Sequence, residues 1–209
     1  MIKKKSRASI LEDIFKKRLT ELGFRRKEPR AFLCPVSDTT TGFVGLTLTH
    51  WKKTTSIFPV VGVRDSRVEK LVAALRGSKN IPIAPTVRRD LHLLDPREPV
   101  RRWTVTDNID MKLIEDCLTA IQRYGIPFIF GHSTLQTMRT ALTERPLNLN
   151  GWRYRIAAID YVLGESETGL SVLREGLGAI GDRDTPADRE FRRFLSGYES
   201  LLTKRAVES

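Results

Sequence analysis

A chain of 209 residues with 40% hydrophobic and 29% charged residues is long enough to build its own core and too apolar for disorder along its length. Two cysteines, Cys34 and Cys117, are too few for a disulfide framework, and no apolar run approaches the ~20 residues of a membrane helix. The formal net charge of +11 is unevenly placed: residues 1–30 carry +7, residues 31–100 +4, residues 101–150 +1 and residues 151–209 −1. Such a balance calls for an anionic partner, whether nucleic acid, an acidic protein surface or anionic lipid. The basic N-terminus runs into a charged amphipathic stretch, not into the apolar region of a signal peptide. A cytoplasmic protein with reduced cysteines is therefore expected.

In chain order, Ser9 and Glu12 read as a capping box. Ile10, Leu11, Ile14, Phe15, Leu19 and Leu22 then recur at helical spacing up to Gly23. A basic turn follows at Arg25, Arg26 and Lys27. Ala31 to Cys34 reads as a short strand, and Thr41 to Trp51 as a longer one with Val44, Leu46 and Leu48 on one face and Thr47 and Thr49 on the other. Thr54 to Val63 is a third strand whose Pro59 predicts an edge or a bulge. A second capping box, Ser66 and Glu69, opens a helix that closes at Gly77.

Residues 78–100 are irregular and interrupted by prolines, with strands expected at 87–94 and 101–105. Asp107 or Asn108 caps a helix that Gly125 stops, Ile126 to Phe130 is a short apolar segment, and Thr134 starts another helix. Helices are predicted over 151–163, 166–180 and 186–203, the last with Thr185 as cap, Pro186 at its first position and Asp188 in its first turn. The expected fold class is α+β: an antiparallel sheet packed with helices, followed by an α-helical C-terminal segment. Residues 1–146 are expected as the core domain and 147–209 as a helical subdomain.

The order of elements, with Gly23-Phe24-Arg25-Arg26-Lys27 after the first helix and Gly125-Ile126-Pro127-Phe128 later, resembles the DUF4304-like group of small bacterial proteins over roughly residues 8–145. The resemblance implies an α+β fold without a known active site, and an association with immunity proteins encoded beside toxins.

Searches for chemistry return little. His50, His92 and His132 lack partners at metal-ligand spacing, and Cys34 and Cys117 form no paired knuckle. Neither a nucleophile elbow nor a phosphate loop occurs, and Glu115 and Asp116 diverge on a helix by about 100°. The expectation is a non-enzymatic chain with no catalytic residue, metal or cofactor. Basic residues beside aromatics remain as partner-binding candidates: Arg25, Arg26, Lys27, Trp51, Lys52, Lys53, Arg88, Arg89, Arg101, Arg102 and Trp103. Each tryptophan also fits a core position, and each basic pair a solvated strand end. Two functions fit: an immunity-like protein that occludes a toxin or effector with an acidic face, or a basic nucleic-acid-associated accessory protein that grips phosphates through Lys3, Lys4, Lys5 and Arg7. No membrane partner is expected.

Overall fold

Two long strands supply most of the backbone pairing. β3 (Thr40–Trp51) and β4 (Thr54–Asp65) form a hairpin in the computed structural model, which describes residues 6–81, 83–97, 103–106, 108–144 and 151–208. The β-branched and aromatic residues of both strands suit a pleated surface. β2 (Ala31–Pro35) pairs antiparallel with β3, and β1 (Arg25–Glu28) pairs antiparallel with β2, so the expected basic turn is an edge strand. On the other side of β4 lie two short antiparallel partners, β5 (Val87–Asp90) and β6 (Trp103–Val105). Among the described residues the sheet has six strands in the order β1-β2-β3-β4-β5, with β6 also on β4.

Pro59 is therefore not on an edge strand. It stands between the stretch of β4 paired with β6, Thr55–Ile57, and the stretch paired with β5, Val60–Val63. A residue with no N–H fits the place where the ladder changes partner.

By contacts the chain divides into two compact units. The first, residues 1–64 and 87–133, holds the sheet with α1 (Arg7–Glu21), α3 (Met111–Ala120) and α4 (Ile126–Gly131). One sheet face is buried under these helices, with Phe32, Val44, Ile57, Val61 and Trp103 in its core. Gly42 and Gly125 mark the closest approaches. A Cβ on Gly42 would come 2.7 Å from Ile129, and one on Gly125 2.8 Å from Val61. Gly125 thus serves close packing and does not stop the helix. The backbone widens to a π-helical turn over Ile121–Gly125 and runs on into α4, whose Pro127 has no N–H for a regular α-helical bond.

The second unit, residues 65–86 and 134–209, comprises α2 (Ser66–Leu75), α5 (Leu135–Glu144), α6 (Gly151–Leu163), α7 (Ser166–Ile180) and α8 (Pro186–Glu208). The last three match their predicted ranges closely. Thr185 caps α8 as expected: its hydroxyl accepts from the Asp188 N–H at 3.2 Å, and the Asp188 carboxylate accepts from the Thr185 N–H and hydroxyl. These bonds hold the Asp188 carboxyl below its ordinary range.

The single boundary expected near residue 147 lies outside the described residues, and the contacts divide the chain elsewhere. α2 and α5 belong with the C-terminal helices because their apolar stripes pack on α6. In addition, no described helix is long and apolar enough to cross a membrane.

Candidate partner-binding surface

The β3–β4 hairpin ends in a two-residue turn, Lys52–Lys53. Lys52 sits in the left-handed region at φ 48°, uncommon for a residue with a Cβ. Hydrogen bonds hold the turn: Thr54 donates to the Trp51 carbonyl at 2.8 Å, His50 Nδ1 lies 2.9 Å from the Thr55 hydroxyl, and the Arg7 guanidinium donates to that hydroxyl at 3.1 Å. On this braced tip the Trp51 indole is 70% exposed, with the Lys52 ammonium 5.8 Å from its ring centroid. A large ring displayed to water beside a lysine turn is the clearest unused contact on the unit.

The remaining candidates separate by side-chain direction. On β1, Arg25 and Lys27 are exposed, whereas Arg26 turns inward to α1 and donates to Glu12 at 3.2 Å. Arg30 donates to the same carboxylate at 2.9 Å, so Glu12 ties the edge strand to the helix. Arg89 is buried on the helix-covered face opposite Val61, its guanidinium donating to the Arg88 carbonyl at 3.1 Å. Arg88, next to it, points the other way and is exposed. Trp103 is a core residue, 2% exposed, and its indole N–H donates to Asp116 at 2.7 Å. Arg26, Arg89 and Trp103 therefore leave the candidate surface, and Arg101 and Arg102 lie outside the described residues. Reading each cluster as a unit missed the alternation within it: neighbours on a strand point to opposite faces.

What remains does not form one patch. Arg25 and Arg88 lie on strands at opposite sides of the sheet, about 19 Å apart at ~4.8 Å per strand. They do share a face, the one turned away from α1, α3 and α4, and Trp51 shares it too. Phe43 and Phe58 also lie there, half-buried; the odd-numbered positions of β3 and even-numbered positions of β4 were their sequence signal.

In the helical unit a cleft of about 430 Å³ is lined by Arg76, Arg155, Arg183, Tyr154 and the start of α8. Its arginines face carboxylates: Arg76 pairs with Glu190, Arg155 with the buried Glu69 at 2.9 Å, and Arg183 with Asp188 at 3.9 Å. Cation and anion balance there, so the cleft has no charge preference to offer a ligand. Among the described residues no three His, Cys, Asp or Glu side chains are placed to hold a metal ion. Burial pushes the Cys34 thiol up from its ordinary range, which disfavours the reactive thiolate.

Searches of family models, curated proteins and solved structures find nothing that matches the chain.

Proposed function

We propose that the protein is a non-catalytic binding protein of the immunity-like kind, which neutralises a toxin or effector by occluding it directly. The observation that carries this reading is the Trp51 indole, 70% exposed on a hydrogen-bonded hairpin tip beside Lys52 and Lys53. Interface hot spots are enriched in tryptophan because one ring buries a large area at small entropic cost. The flanking lysines and the net charge of +11 select a partner with an acidic face, and steer its approach. The resemblance to the DUF4304-like group supports the same reading by association.

The test is affinity capture with the product of the neighbouring gene, followed by growth rescue when the two are expressed together. Co-purification with rescue is the expected outcome, and Trp51→Ala should weaken capture by about tenfold or more. A neighbour that is neither toxic nor bound sinks the reading, and a complex whose facing surface is not acidic removes the charge argument.

A further inference from the structure

We propose that the outer face of the sheet is a docking surface for single-stranded nucleic acid. This goes beyond the protein-binding reading and rests on a different observation, the order of side chains along one row across the strands. Arg25 stands opposite Leu33, and Leu33 opposite Phe43. Trp51 and Thr54 flank the hairpin turn, and Phe43 and Gly62 are each eight residues from them, so Gly62 continues the row. Arg88 stands opposite Gly62 and ends it.

The row thus reads cation, leucine, aromatic ring, glycine, cation, with its ends about 19 Å apart. The Phe43 ring leans along β3 over Gly45, where a Cβ would come within 2.7 Å of it. Gly45 along β3 and Gly62 across on β4 leave the ring without a side chain in those two directions, while Leu33 flanks it on β2. Farther along β3 the same face offers exposed Thr47 and Thr49, and Trp51 at its end, with Lys52 and Lys53 beyond.

Single strands need a π-face on which any base can stack and cations that meet the phosphates beside it. A row one ring wide between two arginines fits a chain of nucleotides better than a protein face of about 800 Å². Asp90 beside Arg88 and Glu28 at the β1 end lie on the same side and offset part of the arginines' charge. Duplex is disfavoured because its bases are already stacked. Lys3, Lys4 and Lys5, where the sequence suggested a phosphate grip, lie outside the described residues, and Arg7 donates to the Thr55 hydroxyl.

The experiment is fluorescence anisotropy of the intact chain with a labelled uridine oligomer of about 15 nucleotides over a salt series starting near 50 mM. Binding that weakens with salt is expected. Arg25→Gln combined with Arg88→Gln should flatten the log–log salt slope by about 1.4. Phe43→Leu keeps an apolar cover over Gly45 but removes the π-face, and should weaken binding about tenfold at fixed salt with the fold intact by circular dichroism. No binding at the lowest salt overturns the proposal, as does binding that these variants leave unchanged, or a duplex of equal length bound as tightly. A chain that captures the neighbour's product but ignores the oligomer overturns this proposal and leaves the protein-binding reading standing; the reverse result separates them the other way.

Discussion

Glu12 and Glu69 sit where Ser-x-x-Glu spacing signals a capping box, and neither caps. The true caps lie earlier: the Ser6 hydroxyl accepts from the Ser9 N–H at 3.2 Å, and the Asp65 carboxylate accepts from the Arg67 and Val68 N–H groups. Asp110, not Asp107 or Asn108, likewise caps α3. The two glutamates are used over long range instead, Glu12 by Arg26 and Arg30, and Glu69 by Arg155 and Thr86. Local spacing cannot show this, because the arginine that claims each carboxylate arrives from another element. Trp103 carries the same lesson. Trp103→Phe should keep most of the packing but lose the bond to Asp116, lowering stability by about 1–2 kcal/mol in urea unfolding. An unchanged midpoint would mean that the indole N–H contributes nothing. Tyr154 gives a pH signature. Burial among Phe191 and Phe194, with the charge of Glu190 second, pushes its phenol up to about 12. A group whose folded pKa is raised contributes its stability fully below the unfolded value near 10 and loses it as pH climbs towards 12. Stability should fall by on the order of 2 kcal/mol more across that window than in Tyr154→Phe, as read by denaturant melts at stepped pH.

At the scale of elements, α8 was legible from its Thr185 cap, and α6 and α7 from their apolar stripes, all of them local signals. Short β5 and β6 were legible only in outline, since three or four residues take their conformation from the long strand beside them. α7 offers a paired test of packing against propensity. At Gly169 a Cβ would lie 2.5 Å from the Tyr198 hydroxyl and 3.0 Å from the Ala157 carbonyl oxygen, whereas at Gly178 it would meet nothing within 4 Å. Alanine gains up to about 1 kcal/mol of helix propensity at either site. Only at 169 must backbone move, at a cost of roughly 1–3 kcal/mol. Gly178→Ala should therefore raise the melting temperature and Gly169→Ala lower it; the same sign for both would show that the close approach of α6 and α7 is unimportant.

For the molecule as a whole, the division of the chain is what a linear reading could not reach. The helical unit takes α2 from the middle of the sequence, where it follows β4 directly, and seats its apolar side, Val68 and Val72, on α6. A fragment of residues 1–146 would strip that cover from α2. It should bind a hydrophobic dye and aggregate, whereas the intact chain should not; a soluble, dye-negative fragment would restore the single boundary near residue 147. By itself the sequence determined the α+β class, the C-terminal helices, the long hairpin strands and the basic N-terminal half, because composition, periodicity and caps are properties of neighbouring residues. Tertiary structure alone decided which arginines pair inward, which tryptophan is buried and which face of the sheet the helices of the first unit cover. Those depend on which distant elements meet, and the strand alternation that separates Arg88 from Arg89 acquires an inside only when helices cover one side.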